Sequence, residues 1–208
     1  MKHSKSHQYS FCKILNKLID LLYDLTLGKT IVKRSLLIES NPTQHAPHPT
    51  HLLVLNQIAT YIQTLDFKIN SLFDVGCGHG RAINFFSRKF SGPIYGIEVY
   101  SKIAEIARIF NVNRANVQIY IGDAACYKFK FEVDLIYMFN PFPFSIFQLF
   151  IINFGTSNFS NLILVNCSYI DQVQSLLGKN WHPKEILIRY CDIQVPCIHF
   201  HKRQNNND

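Results

Sequence analysis

From residue 70 onward, short β-rich runs alternate with helical stretches, and this alternation constrains the fold more than any other feature of the chain. The β-rich runs predict seven strands, at 71–75, 94–97, 117–121, 133–139, 162–166, 185–190 and 195–200. The stretches between them predict helices at 81–89, 101–110, 145–153 and 169–177. Such alternation implies parallel strands joined by right-handed crossovers, hence an α/β, doubly wound, mostly parallel sheet. The last two strands have no helix between them, which favours an antiparallel hairpin at one edge.

The chain has 208 residues, 48% of them hydrophobic, which is enough for one substantial core. We expect a basic amphipathic helical extension over 1–40, one α/β domain over 41–201 and a polar, disordered tail over 202–208. The proline-rich segment 41–51 predicts a loop, and the segment after it is helical by periodicity. Neither a cysteine nor an acid accompanies His45, His48 and His51, so we interpret them as solvated loop residues and expect no metal.

The N-terminal extension carries most of the net charge. Residues 1–34 hold seven Lys and Arg against two Asp, which is +5 of the formal +7. Such a segment can bind nucleic acid, an anionic membrane surface or an acidic partner, although solubility alone is the simpler explanation. Apolar residues recur at helical spacing over 11–28, where lysines and aspartates exclude a secretory leader or a membrane span. We expect this helix to pack on the domain or on a second subunit, with an in-plane membrane or partner helix as the alternative.

The six cysteines are far apart and form no C-x-x-C pair, in a chain where we identify no secretory leader. This usage predicts reduced, mostly buried thiols and a cytoplasmic location.

The stretch "DVGCGHGR", residues 74–81, lies between the first predicted strand and the first helix of the sheet. A helix N-terminus presents free N–H groups to a ligand, and glycines let the ligand approach the backbone closely. The spacing departs from the G-x-G-x-x-G of dinucleotide sites, since Arg81 occupies the third glycine's place. Asp74 would repel a pyrophosphate but suits a ligand that carries an ammonium group.

These residues resemble the first motif of the class I S-adenosylmethionine-dependent methyltransferases, which have a Rossmann-like fold. The resemblance runs from about 51 to 166 and implies S-adenosylmethionine as the cofactor. It implies that the acid and the glycine loop hold the methionine portion, that an acid after the second strand binds both ribose hydroxyls, and that "IGDAA" contacts adenine. The cofactor-binding residues so implied are Asp74, Gly76, Cys77, Gly78, Gly80, Glu98, Val99, Asp123, Ala124 and Asn140.

The stretch "YMFNPFPF" at the end of the fourth predicted strand resembles the N-P-P-Y signature of methyltransferases that act on planar nitrogens. The resemblance implies that Asn140, Pro141 and Phe142 form the catalytic arch, in which the Asn oxygen holds the amino hydrogens of the acceptor. Phe142 replaces the second proline and Pro143 the aromatic residue. The closer likeness is to small bacterial methyltransferases with "Y-x-F-N-P-F" at this strand end. Alternatively, the prolines only terminate a core strand.

Two functional hypotheses follow. The first is an active methyltransferase with an unidentified acceptor, which can be nucleic acid, protein, polysaccharide or a small metabolite. The second is a catalytically silent module that keeps the fold for binding or scaffolding, and a homo-oligomer is compatible with either. We expect His79 to face solvent rather than act as a base, and Tyr137 and Phe139 to belong to the core. Arg81 is expected to reach an acidic substrate group or a strand-end carboxylate.

Overall fold

A computed structural model of the protein describes residues 2–26, 49–140 and 142–202, with side chains from Cys12 onward. Most of the predicted loop 41–51, the segment 27–40 of the extension, the tail beyond Lys202 and Pro141 therefore lie outside the described residues. The described helices are α1 Lys2–Thr26, α2 Leu52–Gln63, α3 Arg81–Ser87, α4 Ser101–Phe110, α5 Phe144–Phe154 and α6 Ile170–Leu177. The described strands are β1 Leu72–Val75, β2 Ile94–Glu98, β3 Val117–Ile121, β4 Val133–Phe139, β5 Phe159–Val165, β6 Trp181–Glu185, β7 Ile188–Tyr190, β8 Ile193–Val195 and β9 Cys197–Lys202.

Seven strands form one sheet in the order β3-β2-β1-β4-β5-β9-β6. The first five strands of this order pair in parallel, and β9 runs antiparallel to both β5 and β6. From β1 the chain adds β2 and β3 on one side and then β4 and β5 on the other side, so the strand order reverses between β1 and β4. Doubly wound sheets bind their ligands at such a point. The predicted doubly wound, mostly parallel sheet is confirmed.

Helices cover both faces of the sheet because its central strands are apolar on both sides. In β4, Leu135 and Tyr137 pack with α2, α3 and α4, whereas Ile136 and Met138 pack with α5 and α6 on the other face. Tyr137 is fully buried and Phe139 packs half-buried against the same core, so both belong to the core as predicted. This packing holds the carboxyl ends of the central strands in place.

The strand predicted at 185–190 is correct only over 188–190, and that strand does not belong to the main sheet. The chain instead forms β6 at 181–185, on the outer edge of the sheet, and β7 in a separate two-stranded ribbon with β8. The sequence predicts no strand at 181–184, where Pro183 has polar neighbours. A proline is tolerated in an edge strand because a strand there needs hydrogen bonds on one side only. The predicted antiparallel edge is present, formed by β9 and β6.

Helix α1 packs on the domain through its polar face. Its acids Asp20 and Asp24 are buried against the domain, while its large aliphatic side chains are exposed. The expected packing of this helix on the domain is therefore present, but ion pairing and hydrogen bonding hold its polar face there, and the aliphatic side chains stay exposed. No helix among the described residues is both long enough and apolar enough to cross a membrane.

The expectation of six reduced thiols is also wrong. Cys12 of α1 and Cys191, in the turn between β7 and β8, form a disulfide, and the other four cysteines are free. The two residues are 179 positions apart in the chain, so no short sequence pattern predicts the pair. The disulfide attaches α1 to the β7–β8 ribbon.

Candidate functional site

The carboxyl ends of β1, β2, β3 and β4 lie side by side at one edge of the sheet, and the predicted site residues follow them. The amides of Gly76 and Cys77 both donate to the carbonyl of Ile97, at 3.0 Å. The amide of Gly122 donates to the carbonyl of Glu98, also at 3.0 Å. These bonds join the glycine loop, the end of β2 and the "IGDAA" turn into one continuous edge.

Gly76 and Gly80 have different roles in the loop. Both have a left-handed φ, 79° and 81°, which an L-residue rarely adopts. A Cβ on Gly76 would meet no atom within 4 Å, whereas one on Gly80 would lie 2.8 Å from Nδ2 of Asn111. Gly80 thus permits the close packing of α3 on α4, while Gly76 faces open space. The loop is therefore packed against helices at Gly80 and open at Gly76.

Asp74 is the buried acid of this site. Its position in β1 pairs with Gly96 of β2 and Tyr137 of β4. Burial and the nearby charge of Glu98 raise the pKa of the Asp74 carboxyl to about 8. Within the described part of the chain, no side chain donates a hydrogen bond to this carboxyl. A ligand that carries a positive charge would stabilise its ionised form.

Glu98 ends β2 and binds the glycine loop. Its Oε2 accepts a hydrogen bond from the amide of Gly78 and its Oε1 accepts one from the amide of Tyr100, both at 3.0 Å. Burial raises the pKa of the Glu98 carboxyl, and these amides act in the opposite direction. Each oxygen keeps a further lone pair, so the carboxylate can accept hydrogen bonds from two hydroxyls of one ligand. Val99 follows, partly exposed at the same edge.

Asp123 and Ala124 form the turn after β3. Oδ1 of Asp123 accepts a hydrogen bond from the amide of Ala125 at 2.9 Å, which fixes the turn. Asp123 is exposed and Ala124 is buried among the residues of the core. Their position beside Glu98 is the one that the sequence predicts.

Asn140 follows β4 in a left-handed conformation, with a φ of 51°. Asn166, after β5, has a φ of 56° and donates from Nδ2 to Oδ1 of Asn140 at 3.0 Å. The carbonyl of Phe142 accepts a hydrogen bond from the hydroxyl of Tyr169. Asn140 and Phe142 are half-buried, and the third residue of the predicted arch, Pro141, lies outside the described residues.

His79 and Arg81 are arranged differently from our expectations. His79 is buried rather than solvent-facing, because the loop turns its ring inward, and burial and the charge of Arg81 lower its pKa. Arg81 pairs with two acids of α1 rather than with a strand-end carboxylate: Nε and Nη2 bind both oxygens of Asp24, and Nη1 binds Asp20. These acids belong to α1, which therefore lies against the first turn of α3.

Thr50 is a residue of this region that the sequence analysis missed. Its hydroxyl lies 3.1 Å from the hydroxyl of Tyr137, and both side chains are buried. His51 is not the solvated loop residue that we expected, because its ring stacks on Tyr190 and its Nδ1 lies 2.5 Å from Oδ2 of Asp20. The two acids of α1, four residues apart within an apolar segment, were the available signal that this helix binds through its polar face. Among the described residues, no three His, Cys, Asp or Glu side chains gather as a metal would require.

No protein-family model matches the sequence, and no curated protein matches it. Solved structures do match. TrmK of M. capricolum in complex with S-adenosylhomocysteine aligns with a TM-score of 0.58 at 17% identity, over 76% of this chain and 70% of that chain. Magnesium protoporphyrin IX methyltransferase (ChlM) of Synechocystis PCC 6803 with bound SAM aligns with a TM-score of 0.57 at 12% identity, over 90% and 97%. The methyltransferase domain of bacterial CtHen1-C aligns with a TM-score of 0.56 at 12% identity, over 72% and 97%.

At these identities the likeness concerns the fold. The sheet order, the flanking helices and the alignments agree, so this chain has the Rossmann-like fold of the class I methyltransferases.

Proposed function

We propose that this protein is an S-adenosylmethionine-dependent methyltransferase. The observation that carries the proposal is the buried carboxyl of Asp74, which no described cation offsets, in the strand that leads into the open left-handed turn at Gly76. The solved structures with the same fold include methyltransferases described with S-adenosylmethionine or its product.

The donor set at the sheet edge fits this cofactor. Asp74 provides a negative charge for the ammonium group of the methionine portion. Glu98 provides two oxygens for the ribose hydroxyls, while its bonds to Gly78 and Tyr100 hold the carboxylate in place. Asp123 and Ala124, which follow the neighbouring strand, would contact adenine.

Asn140 would orient the acceptor, which we propose to be a nitrogen. When bound, S-adenosylmethionine supplies a methyl group that passes to the nitrogen, while the C–S electron pair stays on sulfur and the nitrogen's proton leaves to water. Asn140 contributes by position: its amide oxygen is held by Asn166 and keeps one lone pair for an amino hydrogen. Catalysis by orientation needs no further acid or base here.

Titration calorimetry tests the cofactor, and a methyl-transfer screen tests the reaction. We expect S-adenosylmethionine and S-adenosylhomocysteine to bind and NAD not to bind. Cell extracts incubated with the protein and methyl-labelled cofactor should then acquire label in one fraction. Binding of NAD but not of S-adenosylhomocysteine would refute the cofactor. Cofactor binding without any transfer of label would favour the catalytically silent module.

A further inference from the structure

Helix α1 presents a continuous apolar surface to the outside of the molecule. Seven aliphatic side chains are each between 40% and 59% exposed. Their spacing of three or four residues places them along one face of the helix. We call this surface the α1 apolar face, and its residues are Ile14, Leu15, Leu18, Ile19, Leu21, Leu22 and Leu25.

The opposite face of α1 is held on the domain by specific polar contacts. Cys12 forms the disulfide with Cys191, the hydroxyl of Tyr23 donates to Oδ1 of Asn84 at 3.0 Å, and Asp24 binds Arg81 through both oxygens. Rotating the helix to bury its aliphatic side chains would break all these contacts. The α1 apolar face therefore stays outside while the helix is docked.

The charges around this face indicate what covers it. The two acids of α1, Asp20 and Asp24, are buried and both pair with Arg81. Lys17 is exposed, and the sequence of α1 contains three further lysines and no further acid. A helix with leucines on one side, lysines and no exposed acid is typical of helices that lie in the plane of an anionic membrane surface. Two copies pairing through this face would bring like charges together, which opposes association.

We propose that α1 is an in-plane membrane-binding helix that docks the protein on an anionic lipid surface through the α1 apolar face. This proposal does not depend on the proposed methyl transfer. Arg81, which holds α1, directly follows the glycine loop, so the docked helix would be joined to the element that begins at that loop. In an isolated in-plane helix the polar face contacts water. In this protein the polar face of α1 contacts the domain instead.

Co-sedimentation of the full chain with lipid vesicles tests the proposal. We expect binding to vesicles of phosphatidylcholine with phosphatidylglycerol, and much weaker binding to phosphatidylcholine alone or at high salt. The double variant Leu18→Gln, Leu22→Gln removes two exposed leucines from the α1 apolar face. We expect its partition into anionic vesicles to fall by at least about tenfold, since buried methylene groups supply the insertion energy.

A matched control is the double variant Leu149→Gln, Ile152→Gln on α5, because these side chains are as exposed as Leu18 and Leu22. It should bind vesicles like the unmodified protein, and circular dichroism should show all three proteins folded. Equal binding by the α1 variant and the unmodified protein would overturn the proposal. A failure of the unmodified protein to bind anionic vesicles would also overturn it. The same holds if light scattering shows a dimer that the α1 substitutions dissociate and that vesicles do not dissociate.

Discussion

Arg81, the first residue of α3, forms a bidentate ion pair with Asp24 of α1, in which the distance from Nε to Oδ1 is 2.9 Å. The groups are largely buried, and a second acid, Asp20, lies 3.3 Å from Nη1. The pair therefore couples the N-terminal helix to the element that follows the glycine loop. We expect the position of α1 and its stability to depend on this ion pair.

Replacing Arg81 with Ala should destabilise the protein by about 3–5 kcal/mol, because it leaves the Asp24 carboxylate buried without its cation and removes one of the partners of Asp20. Urea unfolding measures the change. Glu105→Ala is the control, since its ion pair with Arg108 is exposed on both sides and should be worth less than about 1 kcal/mol. A loss in Arg81→Ala no larger than that in the control would show that the pair does not hold α1.

Replacing Asp74 with Asn should stabilise the ligand-free protein at alkaline pH. In the native state the Asp74 carboxyl keeps its proton up to a pKa of about 8, whereas in the unfolded chain it ionises near its ordinary pKa of 3.8. The native state thus binds more protons than the unfolded state between these values, and stability falls as pH rises through this window. The variant lacks this dependence. We therefore compare the free energy of unfolding of the variant with that of the unmodified protein at each pH. The difference in favour of the variant should be at least about 2 kcal/mol larger at pH 8.5 than at pH 4.

Urea unfolding at the two pH values measures this difference, and calorimetry on the same variant should show weakened binding of S-adenosylmethionine. A relative stability that does not change with pH would show that Asp74 is ionised in the native protein at neutral pH.

The central part of the fold was predictable because its signals are local. The β3 and β4 bounds agree with those predicted, since a β-rich run and its flanking turns lie within a few residues. The position of Asp74, Glu98, Asp123 and Asn140 at one edge then follows from parallel topology.

What could not be predicted depends on partners far apart in the chain. Arg81 pairs with an acid 57 positions away, and the disulfide joins residues 179 positions apart. The orientation of α1 follows from these distant contacts, while its periodicity alone favours burial of the aliphatic face. The inward turn of His79 likewise depends on how the loop packs, which no short stretch of sequence reveals.

Replacing Glu98 with Ala should weaken S-adenosylhomocysteine binding by about 1.5–3 kcal/mol, the usual value of hydrogen bonds to a charged group. In this structure Glu98 also accepts from the amides of Gly78 and Tyr100, so the Ala variant tests the ribose contact and the loop together. Glu98→Gln separates them, because its single amide oxygen can keep one loop bond but cannot accept from both hydroxyls. Calorimetry with both variants decides: unchanged affinity in Glu98→Ala would refute the ribose assignment.

Removing the Asn140 side chain should lower turnover at least about tenfold, roughly 1.4 kcal/mol of barrier, while cofactor affinity stays unchanged. A residue that only orients the acceptor acts on the transition state and not on cofactor binding. Because Asn140 has a φ of 51°, Asn140→Ala strains the backbone, and Asn140→Gly removes the side chain without that strain. Asn166→Gly is the matched control, since Asn166 has the same conformation on the neighbouring strand and donates to the Asn140 oxygen. Turnover per folded molecule, measured once an acceptor is found, should fall in both Asn140 variants and less in the control. If Asn140→Gly turns over normally, Asn140 serves the turn alone and does not orient the acceptor.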